Sequence, residues 1–494
     1  MSAMNLKYKF GLINSAGRYL TAEKFGGKVN ASGASLKLKQ VWTLEQDENV
    51  SYLKSHTGNY LSADKNGNVY CDCDDRANNK DTGFSIEIQD DGKWALKNVT
   101  HGRYLSCNND ELICNQSSDS NPAVHWTVQL AIHPQVCMKN VQQQLYAHLK
   151  RSEDGEDRVV ADEMVPWGAD STLTLVYGGK GKYCLEAFNG KFVQSDGQLV
   201  DSINEKTEYT LIFNSGNLQL RDNSRSFLGV DSGTKVLRST SKMTKATSFV
   251  LEDSCPQGAF VLGEKYASLK QGEDVSFKLL VDEEIEDTET FQLEFVKTDT
   301  YAIRVCDFKK NREAKYWKRY AAGIQANGTS KDQADCQFAV EYEGKYMRLR
   351  APGGKYVGVR DNGHLLLQDS PKDFIFRLIN RPKLVLKCTH GFVGAKDGKV
   401  ACNRSNFDVF TVTYKDGGYT IQDSNGKYWS CDDSQNTKPI VLGEAPGIFF
   451  FEFHELSKFA IRAEGGDLIK GEQSGLFTAN GTNASSSDNT LWEF

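Results

Sequence analysis

Apolar and polar residues alternate in short segments along the whole chain. The chain contains twelve repeat units, and each unit closes with a three-residue segment: an aromatic or apolar residue, one intervening residue and a second apolar residue. These closing segments recur at a mean spacing of about 41 residues. A period of two is typical of a strand with one buried face, so each segment is predicted to be a strand. Their first residues are Trp42, Phe84, Trp126, Leu173, Tyr209, Phe249, Phe291, Phe338, Phe374, Phe410, Phe449 and Trp492.

A second motif, of glycine, a polar residue, an aromatic residue and an apolar residue, precedes many of these strands. We expect the glycine to form a turn, the aromatic residue to point inward and its polar neighbour to face solvent. Asn66-Gly67 and Asn362-Gly363 are typical of hairpin connections. The segment 178–182 is interpreted as a hairpin turn, because it lacks the Ser or Thr that follows Lys in a phosphate-binding loop. The motif begins at Gly17, Gly58, Gly102, Gly190, Gly354 and Gly426.

Sustained helical periodicity is scarce. The spacing of Val141, Leu145 and Leu149 fits one face of a helix, but no convincing capping residue precedes them. The repeat predicts a strand at this position, and we therefore expect a strand.

The prolines distinguish two architectures that twelve β units could form. Repeats of this length are typical of propeller blades, and three of them make a β-trefoil. Pro134, Pro256 and Pro382 each follow the third closing strand of a group, whereas identical blades would give no reason for a break after every third unit. We predict an all-β chain of four tandem β-trefoil domains, packed as a rigid unit because no Gly/Ser-rich linker separates them. The predicted domains are residues 8–133, 134–255, 256–381 and 382–494.

Charge and hydropathy disfavour several classes of protein. The chain has 59 basic and 65 acidic side chains and a net charge of −6, so nucleic-acid binding is not expected. No apolar run approaches the roughly 18 residues of a membrane span, so membrane insertion is not expected either. The segment from Met1 to Phe10 has no apolar signal core, from which we expect a cytoplasmic protein.

The residues of known catalytic and metal-binding motifs are missing from the sequence. The 12 cysteines are scattered singly and are expected to be reduced thiols, mostly buried. Cys71 and Cys73 lack a second ligand pair at zinc-site spacing, so we expect a polar loop there. The chain has no Gly-x-Ser-x-Gly, His-Glu-x-x-His or P-loop motif. We predict no enzymatic activity, no cofactor and no metal site.

Several longer motifs resemble the fascin family of actin-bundling proteins, and the resemblance covers residues 8–494. They are Phe10-Gly-Leu-Ile-Asn14, Arg18-Tyr-Leu-Thr-Ala-Glu23, Lys28-Val-Asn-Ala-Ser32, Gln40-Val-Trp-Thr-Leu-Glu-Gln46, His133-Pro-Gln-Val136, Tyr146-Ala-His-Leu149, Val165-Pro-Trp-Gly168, Leu378-Ile-Asn-Arg-Pro382 and Leu491-Trp-Glu493. The family's four tandem β-trefoils agree with the architecture reached from the repeat. The resemblance implies a monomer that crosslinks parallel actin filaments in filopodia, microvilli and other actin-rich cell projections, through at least two filament-binding surfaces.

The resemblance also implies which residues bind actin. In the first domain, Ser35 looks like a protein kinase C site, and Lys37 and Lys39 follow it in a basic run that Leu38 interrupts. A phosphate beside these lysines is expected to weaken their attraction to an acidic filament. Further basic positions that resemble the family's actin-facing charges are Arg18, Lys242, Lys245, Arg360 and Lys470, the last consistent with a site where the first and fourth domains meet.

A second surface is implied near the joint between the first two domains. His133 and Gln135 match the family there. The family carries a basic cluster just before Tyr-Ala-His-Leu, where this chain has Gln142, Gln143 and Gln144.

Two other classes of protein stay open as alternatives, a carbohydrate-binding lectin and an enzyme. Gln40-Val41-Trp42 fits the Gln-x-Trp motif of sugar-binding trefoils, but the corresponding segments 82–84 and 124–126 do not repeat it. A glycosidase would need two carboxylates on either side of a cleft, which a linear sequence does not reveal.

Overall fold

Strands joined by tight turns make up almost all of the regular structure. The computed structural model describes residues 8–214, 216–270, 273–280, 284–306, 314–321 and 323–494, and within them lie 49 strands and eight short 3₁₀ segments. The 3₁₀ segments are Leu38–Gln40, Arg76–Asn78, Lys80–Thr82, Pro122–Val124, Ala169–Ser171, Lys245–Thr247, Asp287–Glu289 and Ala334–Cys336. The all-β prediction is confirmed. Within the described residues, no helix combines the length and hydropathy that crossing a membrane requires.

In the first trefoil, six strands close into a ring. Strands β1, β4, β5, β8, β9 and β12 pair in that order, and β12 pairs back onto β1. Hairpins β2–β3, β6–β7 and β10–β11 cap the ring, which is the pattern of a β-trefoil. The strands β1 to β12 are Tyr8–Ile13, Tyr19–Ala22, Val29–Gly33, Trp42–Asp47, Val50–Ser55, Tyr60–Ala63, Val69–Cys73, Phe84–Ile88, Trp94–Asn98, Tyr104–Asn108, Glu111–Gln116 and His125–Leu130.

The second trefoil repeats this arrangement. Its ring is β13, β16, β17, β20, β21 and β24, closed by pairing of β24 with β13, and its hairpins are β14–β15, β18–β19 and β22–β23. The strands β13 to β24 are Gln135–Asn140, Tyr146–Lys150, Arg158–Glu163, Leu173–Gly179, Lys182–Glu186, Phe192–Val193, Leu199–Val200, Tyr209–Asn214, Asn217–Asp222, Phe227–Val230, Leu237–Thr240 and Phe249–Glu252.

In the third trefoil a single bridge completes the ring. Strands β25, β28, β29, β32 and β33 pair in series, β36 pairs with β25, and Met347 and Phe374 exchange two backbone hydrogen bonds to close the circle. The hairpins are β26–β27, β30–β31 and β34–β35. The strands β25 to β36 are Gln257–Leu262, Lys265–Leu269, Val275–Leu279, Phe291–Lys297, Thr300–Val305, Tyr316–Tyr320, Gly323–Gly328, Gln337–Glu343, Tyr346–Arg350, Tyr356–Val359, Leu365–Gln368 and Ile375–Leu378.

In the fourth trefoil the first ring strand is split into two pieces, β37 and β38. They join β41, β42, β45, β46 and β49 in a ring, capped by hairpins β39–β40, β43–β44 and β47–β48. The strands β37 to β49 are Lys383–Leu384, Lys387–Cys388, Gly391–Lys396, Lys399–Arg404, Phe410–Lys415, Gly418–Gln422, Tyr428–Cys431, Ile440–Gly443, Phe449–Glu455, Lys458–Ala463, Leu468–Gly471, Phe477–Gly481 and Leu491–Glu493.

The twelve closing segments supply the centre of each trefoil. All twelve of their first residues, from Trp42 to Trp492, are 0% or 1% exposed. Strand β14 lies where a helix was the alternative, and Lys180 and Gly181 form the predicted hairpin turn between β16 and β17. Period two therefore identified both the strands and their buried face.

The Gly-x-aromatic-apolar motif is buried differently from the prediction. The six glycines do have positive φ, but the fully buried residue is the apolar one that follows the aromatic, as at Leu20, Leu61 and Leu105. Where the aromatic residue is Tyr19, Tyr60, Tyr104 or Tyr356, its hydroxyl reaches a side chain on a ring strand. Tyr60 Oη donates to Glu45 at 2.9 Å, for example. A buried hydroxyl needs such a partner, which keeps the tyrosine at the edge of the core.

The chain divides into two compact units, one ending at Glu252 and one beginning at Asp253, with Trp167–Ala169 assigned to the second. In the first unit, one continuous hydrophobic core runs through trefoils 1 and 2, and Tyr8 packs on Phe213 with ring centroids 4.6 Å apart. In the second unit, one core runs through trefoils 3 and 4, and Phe376 packs on Phe453 at 5.8 Å.

The joint inside each unit uses the same tyrosine contact. In the first unit, the backbone N–H of Leu130 donates to Tyr183 Oη at 2.6 Å. In the second, the N–H of Leu378 donates to Tyr419 Oη at 2.7 Å. Each contact ties the last ring strand of one trefoil to a ring strand of the next.

The three prolines also occupy equivalent positions. Their carbonyls accept hydrogen bonds from the third residue of the next closing segment, at 2.8 to 2.9 Å. The pairs are Leu175 with Pro134, Leu293 with Pro256 and Val412 with Pro382.

Candidate functional site

The loop that carries Ser35 joins hairpin β2–β3 to ring strand β4 in trefoil 1. Lys37, Leu38 and Lys39 are exposed, and Ser35 is half-buried. The loop therefore presents two ammonium groups around an exposed leucine, directly after the predicted phosphorylation site.

Buried contacts fix the path of this loop. Gln40 is 8% exposed, donates from Nε2 to Thr21 Oγ1 at 3.0 Å and accepts from the backbone N–H of Lys37 at 3.3 Å. Leu36 fills the space left by Gly11, where a Cβ would come within 2.5 Å of the Leu36 side chain. The side chains of Gln40 and Leu36, which point toward the trefoil, therefore hold the loop in place.

Both side chains of the Gln-x-Trp motif, Gln40 and Trp42, make hydrogen bonds within trefoil 1. The Gln40 amide holds the loop, and Trp42, fully buried, donates from Nε1 to Leu20 O at 3.0 Å. Neither side chain is available to a sugar in this structure, so the motif has a structural explanation.

The two lysines of the loop differ in their partners. Lys39 Nζ lies 2.7 Å from Glu23 Oε2, and this hydrogen bond is the largest cause of the lowered pKa of Glu23. Within the part of the chain that the structure describes, Lys37 has no ion-pair partner. Lys37 is therefore the loop's more available cation.

Arg18 lies on the same edge of trefoil 1. Asn14 Oδ1 accepts from the backbone N–H groups of Ala16 and Arg18, which shapes the turn and leaves the Arg18 side chain exposed. The next residue, Tyr19, pairs with Gly33 at the start of the Ser35 loop. The structure thus brings Arg18, Lys37 and Lys39 to neighbouring turns, which we call the trefoil 1 surface.

Lys242 and Lys245 lie on a corresponding loop of trefoil 2, between hairpin β22–β23 and ring strand β24. Both side chains are exposed, and Thr244 caps the 3₁₀ segment Lys245–Thr247. We call Lys242 and Lys245 the trefoil 2 surface.

The glutamines that replace the family's basic cluster lie beside this loop. Asn140 donates from Nδ2 to Ala246 O at 2.9 Å, and the N–H of Val141 donates to Ser248 O at 2.9 Å. The turn that holds residues 142–144 therefore borders the trefoil 2 surface, a contact between segments about 100 residues apart that no local pattern signals.

His133 and Gln135 are inside the molecule. They are 6% and 5% exposed, and the N–H of Gln135 donates to His133 Nδ1 at 3.2 Å. Both lie at the joint between trefoils 1 and 2, where they shape the backbone that enters β13.

Arg360 and Lys470 belong to the second unit. Arg360 is exposed in the turn between β34 and β35, which is closed by a 2.8 Å hydrogen bond from Gly363 N to Arg360 O. Lys470 is half-buried in β47, opposite Thr478 of β48. Within this unit the two residues lie on different trefoils.

Cys71 and Cys73 lie in strand β7, so the expectation of a polar loop is wrong for them. Alternation along the strand buries Cys71 and leaves Asp72 exposed, and burial raises the pKa of the Cys71 thiol to about 11. A protonated, buried thiol is a poor metal ligand. All 12 cysteines are free, and eight of them are buried, as expected.

His148, Asp162 and Glu163 have ligand atoms within 4.8 Å of one another on hairpin β14–β15. A bulge in β15 places Asp162 beside His148, with Nε2 and Oδ1 2.5 Å apart. Lys150 Nζ lies 3.3 Å from the other Asp162 oxygen. Hydrogen bonds within the hairpin therefore account for this cluster.

The sequence interpretation passed over the tip of hairpin β2–β3. Phe25 is 77% exposed there, beside Lys24 and Lys28. The sequence feature that could have indicated this exposed residue is the segment Lys24-Phe-Gly-Gly-Lys28, in which an aromatic residue lies in a polar turn.

Comparisons with known proteins give one consistent result. The family described as Fascin domain matches residues 16–128, 136–251, 267–371 and 389–494. "Fascin" of Strongylocentrotus purpuratus is 77% identical over 501 aligned residues and covers 100% of both chains. "Fascin-2" of Bos taurus is 37% identical and covers 99% of this chain and 98% of that protein.

Among solved structures, SeviL bound to asialo-GM1 saccharide matches with a TM-score of 0.23 and 17% identity. The match covers 26% of this chain and 99% of that one. A likeness this weak carries no argument about ligands.

Proposed function

The chain belongs to the fascin family of actin-bundling proteins, and from that membership we propose that it crosslinks actin filaments into tight parallel bundles. The observation that carries the proposal is the match of all four domains, with 77% identity to a fascin over the full chain. We further propose that it works as a monomer in the cytoplasm, in filopodia, microvilli and related projections. The role is mechanical, without catalysis, cofactor or metal.

Bundling by a monomer needs at least two filament-binding surfaces held at a fixed separation. We propose that the trefoil 1 surface is one of them and that the trefoil 2 surface belongs to a second. Arg360 and Lys470 are proposed as further actin-facing charges. Exposed lysines and arginines are suited to an acidic filament, since they steer encounter and their effect weakens with salt.

The burial of His133 and Gln135 changes the role we propose for them. Because both residues are almost fully buried, we propose that they position the joint between trefoils 1 and 2 rather than contact the filament. Rigidity within each unit is supported by the continuous core across its two trefoils and by the Tyr183 and Tyr419 contacts. We retain 8–133, 134–255, 256–381 and 382–494 as the proposed domain boundaries.

Ser35 is the proposed regulatory position, phosphorylated by protein kinase C. Its phosphate would add about −1.5 to −2 charges next to Lys37 and Lys39. Lys39 is already paired with Glu23, so the added charge acts chiefly on the more available Lys37.

Paired sedimentation tests the proposal. Purified protein is mixed with filamentous actin and spun at low speed, which pellets bundles, and at high speed, which pellets single filaments. Low-speed pelleting that fades as salt rises is the expected result. Pelleting at high speed alone would leave one working surface and overturn the bundling proposal, and no pelleting at either speed would overturn actin binding itself.

A further inference from the structure

The tip of hairpin β2–β3 carries the most exposed large hydrophobic side chain among the described residues. Phe25 is 77% exposed in the turn that joins Thr21 and Ala22 to Val29. Burying a phenylalanine side chain contributes about 2 kcal/mol to the free energy of unfolding. Because the Phe25 side chain is exposed, it contributes little to the stability of the fold. An isolated exposed apolar residue needs no explanation, but the surroundings of Phe25 add three independent features.

The first feature is a backbone that is held in place. The N–H of Glu23 donates to Lys28 O at 2.9 Å, and the N–H of Cys71 donates to Gly27 O at 2.8 Å, which ties the tip to β7. Gly27 has a φ of +60° and no room for a Cβ, which would lie 2.7 Å from Asp72 Cβ. The turn is thus anchored from two sides while the ring projects outward.

The second feature is a pair of exposed lysines in the same turn. Lys24 Nζ lies 5.6 Å from the centroid of the Phe25 ring, and Lys28 follows the two glycines. An exposed aromatic side chain with polar neighbours matches the anatomy of an interface hot spot, which has an apolar centre and a polar rim.

The third feature is continuity with the trefoil 1 surface. Glu23, at the base of the hairpin, accepts from Lys39 at 2.7 Å and from Asn30 at 3.1 Å. The Glu23 charge is therefore compensated, and the hairpin tip and the Ser35 loop form one surface that presents Lys24, Lys28 and Lys37.

We propose that Phe25 is the apolar anchor of the trefoil 1 surface and inserts into a hydrophobic depression between acidic groups on the actin filament. This inference rests on the proposed function. The lysines of the surface favour an acidic protein, and the exposed carboxylate of the neighbouring Asp72 would face the continuous negative charge of an anionic lipid sheet, which disfavours that partner.

The contributions of the lysines and of Phe25 to filament binding are expected to depend differently on salt concentration. Screening weakens lysine contacts, whereas burial of an aromatic ring depends little on ionic strength. Loss of Phe25 is therefore expected to weaken filament binding by the same factor at every salt concentration, whereas loss of Lys28 is expected to reduce the salt dependence.

High-speed sedimentation with filamentous actin, at three salt concentrations, tests this with full-length Phe25→Ala, Lys28→Ala and Tyr320→Ala. Tyr320 is a matched control, an aromatic residue 58% exposed at a hairpin tip beside Lys318 and Arg319 in trefoil 3. We expect Phe25→Ala to raise Kd about tenfold with an unchanged salt slope. Phe25→Leu is expected to recover most of the affinity, and Tyr320→Ala to bind like wild type. The melting temperature of Phe25→Ala should equal that of wild type, because the ring is exposed.

The outcomes separate this inference from the proposed function. If wild type binds and Phe25→Ala binds within twofold of it, the anchor is overturned while actin binding stands. An equal loss in Tyr320→Ala would also overturn it, as a general effect of removing an exposed aromatic residue. Phe25-dependent binding to phosphatidylserine vesicles, with unchanged actin binding, would assign the tip to membranes instead. If wild type fails to bind actin, the proposed function itself fails.

Discussion

Ser35, the proposed phosphorylation site, lies on the loop that carries Lys37 and Lys39. It is half-buried on a loop whose path is fixed from below by Gln40 and Leu36, so a charge added there changes the local potential without a large rearrangement. Lys37, two residues further along the chain, has no ion-pair partner among the described residues. We therefore predict that a phosphate at Ser35 would act through electrostatics.

Ser35→Glu is expected to weaken actin binding about three- to tenfold at low salt, because the carboxylate offsets Lys37. The difference from wild type should shrink as salt rises. Ser118→Glu is the matched control, since Ser118 lies on the corresponding loop of the third repeat, beside Asp119 rather than lysines. High-speed sedimentation measures both variants. Equal weakening by the two, or a loss for Ser35→Glu that persists in high salt, would contradict the electrostatic explanation.

His454 lies between two carboxylates in the second unit. Its Nδ1 lies 2.6 Å from Asp299 Oδ1 in trefoil 3, its Nε2 lies 3.4 Å from Glu452 Oε2, and its ring is 5.4 Å from Tyr342. Two carboxylate partners require both ring nitrogens to donate, as in the imidazolium form. Burial alone would lower the pKa of His454, but the hydrogen bonds and charges of Glu452 and Asp299 outweigh it and raise the pKa above 6.5.

A raised pKa makes the unit less stable as pH rises. The folded form holds the proton more tightly than the unfolded form, so the stabilisation is complete below about pH 6.5 and is lost as pH rises through the folded-state pKa. The difference in unfolding free energy between wild type and His454→Gln, measured by thermal unfolding between pH 6 and 8.5, should shrink by at most about 1.4 kcal/mol per pH unit. Glu452, whose pKa is lowered, stays ionised in this window. A difference independent of pH would contradict the imidazolium assignment.

At the scale of strands, the joints inside the two units are copies of each other. Tyr183 Oη accepts from Leu130 N–H at 2.6 Å, and Tyr419 Oη accepts from Leu378 N–H at 2.7 Å. Each hydroxyl satisfies a backbone donor that would otherwise be unpaired where two trefoils meet. An unsatisfied buried donor costs about 1 to 3 kcal/mol.

Tyr183→Phe is expected to expose the Leu130 amide to exchange without unfolding the rest of the unit. The ring is kept and only the acceptor is lost, so the effect should be local. Hydrogen exchange should show protection at Leu130 falling about tenfold or more, with Leu378 unchanged, and Tyr419→Phe should show the reverse. Unchanged protection at Leu130, or a loss spread over the whole first unit, would contradict this role for the hydroxyl.

The elements were largely predictable from sequence, whereas the contacts that shape the site were not. Period two identifies Trp42 and its eleven counterparts, because alternation follows directly from strand geometry. The hydrogen bond between Asn140 and Ala246 joins segments 106 residues apart and leaves no local pattern. The burial of His133 and Gln135 was missed for a related reason: polar residues at a joint are hidden by the neighbouring domain, which hydropathy does not describe.

At the scale of the molecule, bundling requires surfaces that act independently. The trefoil 1 and trefoil 2 surfaces lie on separate domains of one unit with a continuous core, so a change at one is not expected to unfold the other. If each surface binds a different filament, loss of either one leaves a protein that still decorates filaments but no longer joins them.

Charge reversal distinguishes independent surfaces from parts of one site. We expect Lys37→Glu with Lys39→Glu, and separately Lys242→Glu with Lys245→Glu, to abolish low-speed pelleting, while each variant still pellets with filaments at high speed, at a higher Kd than wild type. Lys265→Glu with Lys270→Glu, a pair of exposed lysines in trefoil 3, controls for the change in net charge. Combining both reversals should remove high-speed pelleting as well. If either double variant alone loses high-speed pelleting completely, the two surfaces contact the same filament, and the partner surface for crosslinking must lie elsewhere, with Arg360 and Lys470 as the next positions to reverse.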